Sequence, residues 1–393
     1  MAGEDEILPI PNLKVAQYTF TLSNPKLVHL HDEAATNLLV AIEADDMAPY
    51  LKLLLSQSPS IIPQRLTSNA RDLVEKLSGR NKAELEALEQ KLKDAEETEG
   101  ETEISDALRA KASYLTKIGE KDAAAAAQTL ASSKTPGVGA RIDITLTLVR
   151  IGFFFNDYKL IEPNIAAAEK LIEKGGDWDR LNRLKVYRAL KFISLRDFKK
   201  AGELLVDSLS TFTATELIDY NDFVGLAIIV NTLVQKRVDL KKKIISSPEV
   251  TQVVLDVPLL GDFLMSLYNC HYAKFFAALA SVEQELLLTS RLLSPHARYY
   301  VREVRILAYS QILESYRSLT LQSLSLSFGV SIDFIDRDLS HFISSGRLNC
   351  TIDRVHGIVE TNRPSAKNAQ YDTLVRQGDV LLNSIQRLSR VLY

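Results

Sequence analysis

The sequence predicts a mainly α protein: a tetratricopeptide-like, right-handed helical solenoid followed by a winged-helix module and a C-terminal helix. Three observations lead to this prediction. In the first 315 residues, apolar side chains recur at a spacing near 3.6, whereas Gly and Pro contribute 16 and 12 of 393 residues. The alternation typical of strands is confined to one hairpin after residue 346. The last 26 residues carry leucines at heptad-like spacing.

Residues 1–100 are predicted to form an N-terminal helical region. Within it, Leu85, Leu88 and Leu92 give the helix at 81–97 a narrow apolar stripe. Residues 82–106 contain ten acidic and three basic side chains, which is typical of a solvated helix face and also compatible with an acidic docking site. The sequence leaves the role of this acidic stretch open.

Residues 101–215 are predicted to form tetratricopeptide-like helical hairpins. Three polar turns, Lys121-Asp122, Asn156-Asp157 and Arg196-Asp197, lie 35 and 40 residues apart. This spacing is close to the period of about 34 residues that is typical of such repeats. Because one pair cannot bury its apolar face alone, stacked pairs would share a continuous core. The predicted pairs are 104–118 with 121–133, 141–155 with 159–174, and 178–195 with 198–210.

Residues 216–318 are predicted to be further helices, and residues 319–362 a winged helix. In the second helix of that module, apolar residues recur at helical spacing and predict a buried stripe; they are Ile332, Ile335, Leu339, Phe342 and Ile343. The neighbouring face carries three acids, Asp333, Asp336 and Asp338, against one cation, Arg337. An acidic face would repel phosphate, so we expect this module to bind protein rather than DNA.

The predicted hairpin of the winged helix offers an open strand edge. Such an edge either stays short and solvated or pairs with a strand of a neighbouring protein. We predict that this edge, near 348–352 and 358–361, is part of a partner interface. The side chains assigned to that interface are Leu348, Cys350, Ile352, Ile358 and Val359.

Residues 363–393 are predicted to form a C-terminal helix with an apolar seam. Leucine and isoleucine at 374, 381, 385, 388 and 392 follow spacings of 7, 4, 3 and 4. A single helix of this length is marginal in water, so the seam must pack on something. It either folds back on the winged helix or joins helices of other subunits in a bundle. The predicted interface residues are Leu374, Leu381, Leu382, Ile385, Leu388, Val391 and Leu392.

No group of residues in the sequence predicts catalysis, a cofactor or a metal site. His29 and His31 would point about 200° apart on one helix, which does not favour zinc. Cys270 and His271 are adjacent, so they would not face each other, and a small buried cysteine is expected instead. The net charge of −3 argues against a general polyanion binder.

The absence of a long apolar run excludes a membrane partner, and two distant cysteines predict a reducing compartment, the cytoplasm or nucleus.

Helical hairpins, a winged helix and a trailing helix together resemble the PCI architecture, found in the proteasome lid, the signalosome and a translation initiation factor. Eight segments carry a narrower resemblance: 47–50, 175–180, 196–198, 210–213, 299–303, 314–320, 360–364 and 388–391. Their order and spacing make this resemblance specific and extend it over nearly the whole chain. They resemble the subunit 6 family of non-ATPase PCI proteins in the lid of the 26S proteasome regulatory particle.

This resemblance implies a non-catalytic structural subunit that supports ATP-dependent degradation of ubiquitinated proteins. Its partners would be other PCI lid subunits, reached through winged-helix edges and a C-terminal helix bundle, together with proteasomal ATPase subunits. Two alternatives stay open at this point. One is the paralogous PCI subunit of the signalosome, and the other is a nucleic-acid adaptor of the PCI class, supported by Arg347, Arg354 and Arg363.

Overall fold

The computed structural model describes residues 7–57, 64–97, 100–362 and 366–392; the side chains at 57, 64–68, 366–369, 391 and 392 are not included. The chain divides into two compact units. Unit 1 comprises Met1–Leu264 and Ala278–Val301, and unit 2 comprises Met265–Ala277 and Arg302–Tyr393. Among the described residues, α-helix dominates both units, and one small sheet lies in unit 2.

The described residues form nineteen α-helices and three strands. The first ten helices are α1 (Leu13–Ser23), α2 (His31–Ala44), α3 (Ala48–Gln57), α4 (Gln64–Glu97), α5 (Glu101–Lys117), α6 (Lys121–Lys134), α7 (Val138–Phe155), α8 (Tyr158–Glu173), α9 (Trp178–Ser194) and α10 (Phe198–Ser208). The others are α11 (Tyr220–Val234), α12 (Arg237–Leu240), α13 (Pro248–Asp256), α14 (Pro258–Tyr268), α15 (Tyr272–Val282), α16 (Ala297–Ser315), α17 (Leu321–Phe328), α18 (Ile332–Ser344) and α19 (Ala366–Leu392). The strands are β1 (Ser318–Thr320), β2 (Cys350–Asp353) and β3 (Ile358–Thr361).

Helices α5 to α10 pack as three antiparallel pairs, in the order that the sequence predicts for a tetratricopeptide-like solenoid. Neighbouring pairs also contact each other, α6 with α7 and α8 with α9. Helix α7 is buried on nearly all sides, because it lies between the hairpin before it and the hairpin after it. The hairpins therefore bury apolar faces against one another, as expected of stacked helical pairs.

Each of the three hairpins turns through a residue with left-handed backbone. These residues are Gly119, Asn156 and Arg196, with φ of 77°, 56° and 64°. In each turn the next amide donates to a carbonyl five residues earlier, as in the Schellman motif that ends many helices. The predicted start of the second helix at residue 121 is confirmed, but the polar motif Lys121-Asp122 forms the first turn of α6 and not the connection before it.

Gly152 allows α7 and α8 to approach closely. A Cβ atom at this position would lie 2.6 Å from Cγ1 of Ile161, a buried residue of α8. We expect Gly152→Ala to lower the free energy of unfolding by about 1 to 3 kcal/mol, because the overlap forces the two helices apart. Denaturant unfolding followed by far-ultraviolet circular dichroism measures this change.

Gly79 gives the matched control, since it lies inside α4 with open space around its Cα. Gly79→Ala should raise the free energy of unfolding by about 0.5 to 1 kcal/mol, as alanine restricts the unfolded chain more than glycine does. Equal effects of the two substitutions would contradict the close approach at Gly152.

Asp157 links two successive hairpins by two contacts. Its Oδ1 accepts from the backbone amide of Lys159 and caps α8, while its Oδ2 accepts from Nζ of Lys121, 2.7 Å away on α6. The hydrogen bond from Lys121 lowers the pKa of Asp157 below its ordinary value. Since the pKa is lower in the folded chain, this carboxylate stabilises the fold at neutral pH, and the stabilisation is lost as the pH falls through the folded pKa.

We therefore expect Asp157→Asn to reduce the sensitivity of the fold to acid. Asparagine keeps the helix cap but carries no charge that can be lost. Unfolding curves measured between pH 6 and pH 3 should show a smaller loss of stability in the variant than in the wild type. A parallel decline of the two proteins would show that the Lys121 contact does not contribute.

Candidate interaction surfaces

Unit 2 contains the winged helix, built from α17, α18 and a three-stranded antiparallel sheet. Helix α17 begins at Thr320, whose hydroxyl accepts from the amide of Ser323, and ends at Gly329 with left-handed backbone. Helix α18 begins at Ser331, which caps it through the amide of Phe334. The predicted stripe is buried at Ile335, Leu339 and Phe342, whereas Ile332 is exposed and Ile343 is half-buried. Ile332 is exposed because it lies in the first turn of α18, outside the core that buries Ile335.

The sheet has the strand order β1-β3-β2, so the prediction of a two-stranded hairpin was incomplete. Strand β3 is central: Val359 pairs with Leu319 of β1 on one side and with Ile352 of β2 on the other. The prediction of an open edge at 358–361 was therefore wrong, since both edges of β3 are already paired. The outer edges of the sheet belong to β1 and β2.

The five hairpin side chains of the predicted interface fall into two groups. Leu348, Cys350 and Val359 are buried and form part of the core beneath the sheet; burial also raises the pKa of the Cys350 thiol. Ile352 and Ile358 are half-buried. The buried three contribute to the core of the winged helix and are not themselves exposed to a partner.

The acidic face of α18 is largely neutralised by arginines from other elements of unit 2. Arg305 of α16 donates through Nη1 to Asp338 at 3.0 Å, and Arg354 of the wing donates through Nη2 to Asp336 at 2.9 Å. When Asp333 and Arg337 of α18 are added to these two pairs, the surface carries three acids and three cations. It is therefore neutral rather than acidic. Sequence reasoning missed this because it counted charges on one helix.

Asp338 is the most enclosed of these carboxylates. It accepts from Nη1 of Arg305 and from the hydroxyl of Tyr309, 3.2 Å away. Burial raises the pKa of Asp338, and Arg305 partly opposes that rise. Burial also raises the pKa of the Tyr309 phenol. The guanidinium of Arg305 lies over the ring of Phe334, 5.8 Å from its centroid. This network joins α16 to α18 inside unit 2.

The cations that would support nucleic-acid binding are engaged within unit 2. Arg347 donates through Nη2 to Glu303, a buried carboxylate of α16, and Arg354 pairs with Asp336. Arg363 lies outside the described residues. Lysine and arginine side chains bind a phosphate backbone by neutralising phosphates and releasing the counterions condensed on the nucleic acid, and two of the three candidates already pair with acids. The adaptor hypothesis thus loses most of its support.

Helix α19 presents its apolar seam to solvent. Leu374, Leu381, Ile385 and Leu388 are each 58 to 68% exposed, and Leu382 is exposed as well. The face opposite the seam is polar and includes Arg376, Asn383, Arg387 and Arg390. Nothing in the described part of the chain covers the seam, which excludes the fold-back alternative in this structure. The side chains of Val391 and Leu392 lie outside the described residues.

His31 and Cys270, which the sequence raised as candidate site residues, each contact a neighbouring polar group. His31 contacts the carbonyl of Asn24 at 3.1 Å, and Cys270, half-buried rather than buried, accepts from Nε2 of Gln311 at 3.1 Å. Within the ranges that the structure covers, no three His, Cys, Asp or Glu side chains are grouped to hold a metal ion. None of the helices described there is both long and apolar enough to cross a bilayer.

Comparison with known proteins covers the whole chain. The family model described as 26S proteasome subunit RPN7 matches residues 71–243, and the PCI domain model matches residues 272–363. The model of the 26S proteasome regulatory subunit RPN7/PSMD6 C-terminal helix matches residues 370–392, within α19. These matches correspond to most of the solenoid, to the winged-helix region and to the seam.

Two full-length relatives carry the name 26S proteasome non-ATPase regulatory subunit 6. The protein from Oryza sativa is 43% identical over 97% of this chain and 96% of its own length, and the homolog from Arabidopsis thaliana is 42% identical over 100% of both. COP9 signalosome complex subunit 1 of Arabidopsis thaliana is 21% identical over 50% of this chain and 45% of its own length. The chain belongs to the 26S proteasome non-ATPase regulatory subunit 6 (RPN7) family.

Proposed function

We propose that the chain is a non-catalytic structural subunit of the lid of the 26S proteasome regulatory particle. It assembles there with other PCI subunits and so supports ATP-dependent degradation of ubiquitinated proteins. The observation that carries this proposal is the exposed seam of α19, a row of apolar side chains with a polar face behind it. Such a helix is stable only when partners cover the seam, as in a helix bundle.

The winged helix supplies the second contact of this proposal. The outer edges of β1 and β2 have backbone groups directed away from the sheet, and a strand of a neighbouring PCI subunit can pair with either. Ile352 on β2 is half-buried, so it is available to pack against such a strand. The proposed partners also include proteasomal ATPase subunits. The proposed locations of the chain are the cytoplasm and the nucleus.

Affinity purification of the tagged, full-length chain followed by mass spectrometry tests the proposal. Co-purification with proteasomal ATPases and other PCI lid subunits in fixed proportion is the expected result. Recovery with a complex that removes the ubiquitin-like modifier Nedd8 would instead select the signalosome alternative. Recovery with nucleic acid, at an affinity that falls steeply with salt, would select the adaptor alternative.

A further inference from the structure

A short basic segment of unit 1 has no role in the proposed assembly contacts. Residues 236–243 carry five cations, Lys236, Arg237, Lys241, Lys242 and Lys243, against one acid, Asp239. We refer to these eight residues as the basic turn. Its net charge of +4, five minus one, stands against −3 for the whole chain. All five cationic side chains are exposed.

The backbone of the basic turn is helical after its first residue, with buried apolar side chains on one side and the cations exposed. Helix α12 continues into one turn of π-helix at Lys241–Ile245, in which the amide of Ser246 donates to the carbonyl of Lys241 at 3.0 Å. Leu240 and Ile244 are buried and anchor one side of the segment. Three consecutive lysines of the π turn, at 241, 242 and 243, are exposed. Such turns are rare and are often found at functional sites.

The middle of the basic turn is apolar. Val238 is 66% exposed and lies one helical turn before Lys242, on the side opposite Leu240 and Ile244. Lys236, Lys242 and Lys243 form no ion pair with any residue that the structure describes. The surface thus combines an exposed apolar side chain with three amines, those of Lys236, Lys242 and Lys243, that have no acidic partner among the described residues.

We propose that the basic turn docks an acidic, amphipathic segment of another protein in the assembly. Carboxylates of that segment would pair with Lys242 and Lys243, and one of its apolar side chains would cover Val238. Residues 236–243 contain no aromatic side chain, so they lack the stacking platform on which single-stranded nucleic acids are bound. Charge complementarity of this kind chiefly sets the rate and specificity of association. This inference rests on the proposed function, since the partner is sought within that assembly.

Zero-length crosslinking tests the proposal on the intact assembly. A carbodiimide joins a lysine amine to a carboxylate with which it is in direct contact, and mass spectrometry identifies the linked peptides. We expect Lys242 or Lys243 to be linked to Asp or Glu of another subunit, in a stretch that also carries apolar residues. The variant Lys242→Glu, Lys243→Glu lacks the two reacting amines, so its readout is binding: the amount of the linked partner that co-purifies with the chain at raised salt concentration should fall at least tenfold.

The double variant Lys170→Glu, Lys174→Glu is the matched control. It also reverses two exposed lysines, at the end of α8, and should leave links from the basic turn unchanged. Circular dichroism of both variants verifies that each is folded. A second variant, Lys242→Arg, Lys243→Arg, keeps the charge and should retain the partner at salt concentrations that release it from the glutamate variant.

Two outcomes would overturn the proposal itself. In the first, Lys242 and Lys243 stay unlinked, or become linked only within their own chain, while other lysines of the chain link across subunits. Ultraviolet crosslinking of 236–243 to nucleic acid would replace the protein partner. A chain that purifies without other PCI subunits would contradict the proposed function. In that case, links from the basic turn to an acidic segment of the protein that does co-purify would still support docking. The absence of such links would refute docking.

Discussion

Replacing Leu381 and Ile385 together with alanine is expected to release the chain from its assembly without unfolding it. Both side chains are exposed in the free chain, so their loss costs little stability there. Alanine also favours the helix, which keeps α19 intact. In a bundle, however, the two substitutions remove apolar groups that contribute about 2 kcal/mol each, at roughly 0.8 kcal/mol per buried methylene.

A loss of about 4 kcal/mol corresponds to a roughly thousand-fold weaker association. Native gel electrophoresis and quantitative mass spectrometry of the purified complex measure the fraction of chain that is incorporated. The double variant Asn383→Ala, Arg387→Ala is the control, since it introduces the same residue on the polar face of α19. Normal incorporation of the seam variant, or equal loss in both variants, would contradict the bundle.

Helix periodicity predicted much of this fold, because the solenoid and the seam depend on local patterns. The pairs α5 to α10 and the heptad-like row of α19 lie where the spacing of apolar residues placed them. Strand β1 was missed because Ser318–Thr320 is three residues long and is formed through pairing with β3, which is 40 residues away. A strand this short has no alternation of its own to detect.

The candidate surfaces were harder to predict, because they depend on contacts between distant residues. The acids of α18 were visible in the sequence, but their partners Arg305 and Arg354 come from α16 and from the wing. In the same way, Leu348 and Val359 were visible as apolar residues of the hairpin region, but their burial in the core is seen only in the folded chain. The cluster of lysines at 236–243 was present in the sequence, although a small net charge for the whole chain concealed it.

Replacing Asp338 with alanine is expected to destabilise unit 2 by about 2 to 3 kcal/mol. The substitution leaves the guanidinium of Arg305 and the hydroxyl of Tyr309 without the carboxylate to which both donate. Breaking a fully buried pair costs about 3 to 5 kcal/mol, and the partial exposure of Arg305 reduces that cost. Hydrogen exchange of peptides from α16 and α18 measures the loss locally. Asp333→Ala, on the exposed side of α18, is the control and should change little.

The paired replacement Arg305→Met, Asp338→Leu separates two explanations of that loss. The pKa of Asp338 is raised because burial outweighs the attraction of Arg305, so desolvation opposes the attraction within this ion pair. If the network stabilises unit 2 only by avoiding an unpartnered charge, two apolar side chains of similar size should restore most of the protection that Asp338→Ala removes. If the hydrogen bond from Tyr309 is also needed, the free energy of unfolding of the paired variant should stay about 1 kcal/mol below that of the wild type. This difference is the typical cost of losing one hydrogen bond. Protection as low as in the single variant would show that the charged pair itself holds α16 against α18.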